Sequence, residues 1–213
     1  TLLRVNGNYF NSPFEPFGNG FTYATSTGLH SVAIKSDGSI WTKGNNDSGQ
    51  LGVGSMPYVF EPLLIGTGYT QISAGGAHSV ALKPDGSLWA WGDGRMGSLG
   101  NGKLEVSSNP VLLGSGYATV FAGDRDVFAI QSDNSLWAWG FNYYGLKQGN
   151  TSPYFVSQPF QHSSDFKEVA TAYNRTFGIK TDGTLWAWGW NEKGQLGDGT
   201  LTSTFEPVLI GQG

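Results

Sequence analysis

The 213-residue chain has 12 Lys and Arg against 16 Asp and Glu, a net charge of −4, so it lacks the basic surface expected of a nucleic-acid-binding protein. It has no cysteine, which excludes a disulfide framework, a thiolate metal site and a cysteine nucleophile. Its 33 glycines, 8 tryptophans, 9 tyrosines and 13 phenylalanines are typical of an all-β protein with many tight turns.

The N-terminal segment is expected to hold one strand that belongs to a preceding repeat. Residues 15–18 have the sequence Glu-Pro-Phe-Gly, which matches the proline-led ends of later units. Residues 1–20 show no charged start followed by an apolar stretch, so we expect no signal peptide. No run of 18 apolar residues occurs in the sequence, so we expect no membrane span. The first residue is Thr1 rather than Met, which suggests a processed form or a piece of a longer protein.

Four copies of one unit of about 48 residues follow. Each unit has an aspartate in a turn and a tryptophan four residues later. A glycine follows three residues after that tryptophan in every unit. The aspartates are Asp37, Asp85, Asp133 and Asp182, and the tryptophans are Trp41, Trp89, Trp137 and Trp186. This regular spacing predicts a tandem-repeat fold, in which these tryptophans are structural.

The second unit shows the expected strands most clearly. Residues 69–74, 79–83, 87–91 and 110–113 are β-prone, and the Pro-Asp-Gly turn at 84–86 joins the second and third of them as a hairpin. Four strands in such a unit form one propeller blade. The apolar residues on both faces of the second strand favour a sheet covered on each side. A β-sandwich could have similar strands but would not need so regular a period.

We therefore predict an all-β fold of β-propeller blades, each of four antiparallel strands. The predicted divisions are a tail strand at 1–20 and blades at 21–66, 67–114, 115–163 and 164–213.

The repeat resembles the regulator of chromosome condensation repeat family, and the tryptophan-rich form is similar to its bacterial members. The resemblance is carried by residues 76–82, 85–86, 88–92 and 191–197 and covers nearly the whole chain. It implies a propeller, usually of seven blades, whose members act mainly by binding: nucleotide exchange on a small GTPase, chromatin contact, or inhibition of a secreted enzyme. The third repeat departs from the Gly-x-Leu-Gly pattern at residues 145–148.

The sequence has four hairpins but five proline-led strands, so it does not describe a simple closed ring. Three interpretations stay open: a piece of a longer propeller, a ring completed by a second copy or another chain, or a small open assembly whose spare strand covers an edge.

Hairpin geometry places the loop that follows the repeat glycine beside the segment that precedes the same hairpin. These two kinds of loop are therefore expected to form one face of the propeller. One repeat position, seven residues before each aspartate, is occupied by His30, His78, Asp126 and Arg175. These side chains either bind a polar partner or fix their own loops by hydrogen bonds. The variable loops add further candidate partner-binding residues: Arg95, Met96, Phe141, Tyr143, Tyr144, Trp190, Glu192 and Lys193. Packing against a neighbouring blade is the alternative role of these aromatic residues.

The predicted function is a non-catalytic scaffold for protein–protein recognition, since no nucleophile, phosphate-loop or paired-carboxylate motif stands out. No cofactor or metal is expected, and His162 lies in a different part of its repeat from the other two histidines. The alternatives are a carbohydrate-binding or adhesive protein, and a structural subunit that self-associates through unpaired blade edges. The expected partner is another protein or a glycan, and the expected location is the exterior or surface of a bacterium.

Overall fold

A computed structural model of the chain describes residues 5–6, 19–27, 29–142, 154–172 and 174–212. Within these ranges all regular secondary structure is β-strand. No helix long and apolar enough to cross a membrane is found in the described part of the chain.

The strands form four sheets, which we call blades 1 to 4, and within each blade they are hydrogen-bonded in chain order. Blade 1 has β2 (Phe21–Ser26), β3 (His30–Lys35), β4 (Ile40–Asn45) and β5 (Tyr58–Gly66); blade 2 has β6 (Gln71–Ala74), β7 (His78–Leu82), β8 (Leu88–Gly92) and β9 (Ser107–Gly114); blade 3 has β10 (Tyr117–Ala122), β11 (Asp126–Gln131), β12 (Leu136–Phe141) and β13 (Phe155–Ser163); blade 4 has β14 (Phe166–Ala172), β15 (Arg175–Lys180), β16 (Leu185–Gly189) and β17 (Thr204–Gly211). All pairs inside these blades are antiparallel, so the predicted fold class is confirmed.

The first strand, β1 (Val5–Asn6), adds to the edge of blade 1. It runs parallel to β2, with Val5 opposite Ala24. The proline-led strand predicted at residues 15–18 lies outside the described residues.

A short hydrogen-bond chain explains why an aspartate and a tryptophan recur four residues apart. In blade 1 the Ser39 amide donates to the Asp37 carboxylate at 2.9 Å, and the Trp41 indole donates to the Ser39 hydroxyl at 3.0 Å. The same two bonds are made in the other three blades by Ser87, Ser135 and Thr184. The hydroxyl residue two positions after the aspartate is therefore a further member of the repeat motif, beyond the aspartate and the tryptophan predicted from the spacing.

A lysine lies between two aromatic rings on the same surface of three blades. In blade 2 the Lys83 ammonium is 4.9 Å from the ring centres of both Tyr69 and Trp89. Lys35 and Lys180 are held in the same way in blades 1 and 4. Blade 3 has Gln131 at this position, so it lacks a cation–π contact that is worth about 0.5–1 kcal/mol at exposed sites.

The hydrophobic core lies between consecutive blades rather than within one sheet. Trp91 of blade 2 packs with Val32, Ile34 and Ile40 of blade 1. Trp139 of blade 3 and Trp188 of blade 4 are likewise fully buried in the clusters they share with the preceding blade. The middle strands of blades 2 and 3 are thus buried on both faces, as their apolar pattern predicts, whereas buried and half-buried residues alternate along β15 of blade 4.

Candidate functional site

The strand register brings two loop types together at one end of the blades. His78 pairs with Gly92 across the hairpin of blade 2, and the Asp93 amide then donates to the Ala77 carbonyl at 2.8 Å. The other three blades have the same arrangement at Asn45, Phe141 and Trp190. We call this end the loop face; in the described residues it comprises 27, 29, 45–57, 75–77, 93–106, 123–125, 141–142, 174 and 190–203.

Buried asparagines organise the long loops of blades 1 and 4. The Asn191 side chain donates to the Thr200 and Thr202 carbonyls and accepts from the Leu196 amide at 2.9 Å. Asn46 holds its own loop through the equivalent bond to the Leu51 amide. These side chains fix the shape of the loop and are themselves buried. No group of three or more potential metal-binding side chains occurs among the described residues.

The first residue at the repeated His/Asp/Arg position joins two blades. The His30 ring is 2 % exposed, and its Nε2 atom lies 2.9 Å from the Ser79 hydroxyl of blade 2. That hydroxyl donates to the Gln50 carbonyl at 2.8 Å, so Nε2 must be the donor to Ser79 because a hydroxyl has one hydrogen. Burial, followed by the nearby His78, lowers the pKa of His30 to about 3. The neutral ring therefore ties two blades together and offers no surface to a partner.

His78 has the same position in blade 2 but lacks the same partner. It is 1 % exposed, and burial lowers its pKa to about 4. Its Nε2 atom has no hydrogen-bond partner in the described part of the chain. In blade 3 the residue that corresponds to Ser79 is Val127, which has no hydroxyl. Because both histidines are almost completely buried, their burial favours a structural role at this position over partner binding.

Asp126 and Arg175 complete the set in blades 3 and 4, and both are half-buried. Loss of hydration raises the pKa of Asp126 to about 7, and the hydrogen bond from the Thr171 hydroxyl opposes this shift. Arg175 begins β15 and makes no hydrogen bond or ion pair through its guanidinium with any described residue. Two of the four side chains at this repeat position, His30 and His78, are thus buried, and the other two are half-buried.

A patch of three side chains joins the loop faces of blades 2 and 3. A guanidinium nitrogen of Arg125 lies 3.7 Å from the Met96 sulfur, and the guanidinium carbon lies 5.8 Å from the centre of the Phe141 ring. Asp124 pairs with Arg125 at 3.5 Å. Both Met96 and Arg125 are exposed, whereas Phe141 is half-buried beneath the arginine. We call Met96, Arg125 and Phe141 the loop patch. Arg125 was not among the sequence-predicted residues.

The remaining candidates are spread over the loop face. Arg95 is exposed and makes a two-bond ion pair with Asp93, whose closest N–O distance is 2.6 Å. Glu192 and Lys193 are exposed on blade 4, and Trp190 beside them is half-buried. Tyr143 and Tyr144 lie outside the described residues.

Family models for the regulator of chromosome condensation (RCC1) repeat match most of the chain. One matches residues 37–82, 85–130 and 182–212, and a second matches 69–98 and 166–195. No curated protein sequence matches the chain significantly.

Solved structures of larger proteins share the fold. Human WBSCR16 matches with a TM-score of 0.81 at 17% identity, over 92% of this chain and 54% of that one. Prp20p of Saccharomyces cerevisiae matches with a TM-score of 0.78 at 21% identity, over 90% and 50%. The structure of Kap60 bound to yeast RCC1 (Prp20) matches with a TM-score of 0.80 at 20% identity, over 93% and 50%. The chain spans about half the length of these proteins, and it belongs to the RCC1 repeat family.

Proposed function

We propose that this chain is a non-catalytic scaffold whose loop face binds another protein, with the loop patch at the centre of the contact. The observation that carries the proposal is the contact between Met96 and Arg125, two exposed side chains from consecutive blades. Methionine, arginine and aromatic residues are enriched in protein interfaces relative to the rest of the surface. The charged Arg95, Asp93 and Asp124 around the patch suit the polar rim of such an interface.

The relatives support protein binding as the general role. One matched structure is a complex of yeast RCC1 with Kap60, and the matched Prp20p was characterised for its binding to Gsp1p and histones. Function differs widely among proteins that share a fold, so the partner of this chain has to be identified directly.

The test compares proteins captured by the native chain with those captured by the variant Arg125→Glu. Reversing this charge should remove the contact with Met96 and weaken capture of a specific partner by about 10-fold or more, as expected for an interface hot spot. Lys167→Glu is the matched control, because Lys167 is exposed at the opposite end of blade 4 and the substitution reverses the same charge.

A partner lost with Arg125→Glu and kept with Lys167→Glu supports the proposal. Equal capture by both variants would show that the loop patch does not bind it. Glycan arrays run with the same variants test the carbohydrate alternative: a glycan retained by the native chain and lost with Arg125→Glu would replace the protein partner.

A further inference from the structure

A cleft opens between blades 1 and 2 at the end of the blades opposite the loop face. Its volume is about 520 Å³, which lies within the range of about 300–1,000 Å³ that is usual for small-molecule sites. The turn that joins β3 to β4 contributes one wall, and the start of β6 contributes another. A ligand in this cleft would not touch the loop patch, so the cleft is independent of the proposed function.

The cleft has an apolar floor and hydroxyl groups at its rim. The buried side chains of Ile34 and Tyr69 line it, together with the exposed Thr22 and Thr70. The two threonine hydroxyls donate to the backbone carbonyls of Ile34 and Leu82, so they can only accept a hydrogen bond from a ligand. The floor suits an apolar body, and hydrogen-bond donors for a ligand have to come from other residues of the cleft.

Ser36 supplies two such donors. In blades 3 and 4 the residue at this repeat position donates its amide to a carbonyl of its own blade, Ser132 to Gly116 at 3.2 Å and Thr181 to Asp165 at 2.7 Å. Ser36 lines the cleft and is exposed. Neither its amide nor its hydroxyl makes a hydrogen bond with any described residue. Two adjacent donors are therefore available in the wall of the cleft.

Lys35 adds a positive charge beside these donors. Its ammonium lies 4.9 Å from the centre of the Phe21 ring and 4.6 Å from that of the Trp41 ring, so two aromatic side chains hold it in place. The adjacent Asp37 does not line the cleft, and its carboxylate already accepts a backbone amide at 2.9 Å. Among the residues that line the cleft, Lys35 alone carries a charge. The cleft therefore favours an anion, although the chain has a net charge of −4.

The corresponding place between blades 2 and 3 lacks this set of donors. Pro84 occupies the position of Ser36 and has neither an amide hydrogen nor a hydroxyl. The turn is otherwise the same, because the glycine amide donates to the lysine carbonyl at 3.0 Å in both blades. Lys83 is also held between two rings, as Lys35 is. Proline at this position is thus compatible with the turn, and it would remove both donors from blade 1.

We infer that this cleft binds a small organic acid. The carboxylate accepts hydrogen bonds from the amide and the hydroxyl of Ser36 and pairs with the Lys35 ammonium, while the apolar body of the acid lies over Ile34 and Tyr69. Hydrogen bonds to an ionised group are roughly twice as strong as neutral ones. The cleft should therefore prefer a carboxylate to the corresponding neutral amide.

The experiment titrates the ¹⁵N-labelled native chain with benzoate, phenylacetate and 3-phenylpropionate, and with the amide of each acid, and follows the backbone amides by NMR. At least one acid should bind saturably and shift the amides of Ser36 and Thr70. Its neutral amide should bind about 10-fold more weakly or worse, as expected when a charged hydrogen-bond partner is lost. Failure of all the acids to bind saturably, or equal binding of an acid and its amide, would overturn the inference.

Two variants test whether the acid occupies the cleft. Ser36→Pro and Lys35→Met should each weaken its binding by about 10-fold or more, with the fold checked by circular dichroism. Lys83→Met is the matched control, because it removes the same charge from the same two-ring contact in blade 2 and should leave binding unchanged. If Ser36→Pro does not fold, Lys35→Met against Lys83→Met decides. Native affinity in the cleft variants, or an equal loss with Lys83→Met, would refute the site.

Discussion

Removing the Ser79 hydroxyl should destabilise the protein far more than its small size suggests. Ser79 is fully buried and holds two other buried groups, the Nε2 of His30 at 2.9 Å and the Gln50 carbonyl at 2.8 Å. Ser79→Ala leaves both without a partner. An unsatisfied buried polar group costs about 1–3 kcal/mol, so we expect the free energy of unfolding to fall by about 2–3 kcal/mol in total.

Urea and thermal unfolding followed by tryptophan fluorescence measure this loss, and we expect Tm to fall by roughly 5–10 °C for a chain of this length. Ser31→Ala is the matched control, because Ser31 has the same repeat position in blade 1 but is half-buried and donates to Ser26 within its own blade. The control should change stability by less than about 0.5 kcal/mol. Equal effects of Ser79→Ala and Ser31→Ala would refute the role of the blade-to-blade hydrogen bond.

Adding a hydroxyl at the equivalent contact between blades 2 and 3 should stabilise the protein. The Nε2 atom of His78 has no hydrogen-bond partner among the described residues, and Val127→Thr supplies a hydroxyl at the repeat position from which Ser79 contacts His30. Blade 4 already has a threonine, Thr176, at this position. We expect a gain of about 1 kcal/mol in the free energy of unfolding. A loss of stability would mean that the hydroxyl is itself buried without a partner.

Three further predictions concern charge and pH. Gln131→Lys gives blade 3 a cation beside Trp137, and thermal unfolding should show a gain of about 0.5–1 kcal/mol; an unchanged Tm would contradict it. Burial lowers the pKa of His162 to about 4, so stability is fully present above pH 6.5 and is lost as pH falls toward 4. His162→Leu, which reproduces Leu113, should remove roughly 2 kcal/mol of the loss between pH 7 and 5, and an unaltered pH profile would refute this. Asp126 has its pKa raised to about 7, so its contribution is present below pH 3.8 and is lost as pH rises through 7; Asp126→Asn should raise urea-measured stability at pH 8 by roughly 1–2 kcal/mol, and a gain of the same size at pH 5 would exclude this cause.

The blades could be predicted from sequence because their determinants are local. The Asp37 turn and Trp41 lie within a few residues of each other, and the spacing repeats with the blade. The position of the loop face followed from hairpin geometry alone, since residues such as His78 and Gly92 pair across a single turn. The predicted division of the chain at 66 and 114 remains a prediction.

Contacts between blades could not be predicted in this way. His30 and Ser79 are 49 residues apart, and Arg125 meets Met96 only after two blades have packed. Aligning the four repeats would have provided a signal for one further residue. His162 stands where the other blades have isoleucine or leucine, and it packs with its ring centre 5.2 Å from that of Trp188.

The differing residues at the blade contacts have a consequence for how such a chain can change by duplication or deletion. Ser157 meets the glycine loop of blade 2, residues 97–100, through its Cα, which lies 3.1 Å from a Cβ placed on Gly97, and blade 4 has the larger Phe205 at the same position. Deleting blade 3 would bring Phe205 to the place beside Gly97 that Ser157 now occupies, although the two flanking units are each intact. The four units therefore differ in the size of the side chain at this contact, and we do not expect them to be interchangeable. We therefore expect a gained or lost repeat to be tolerated best when the residues at its new blade contact change with it.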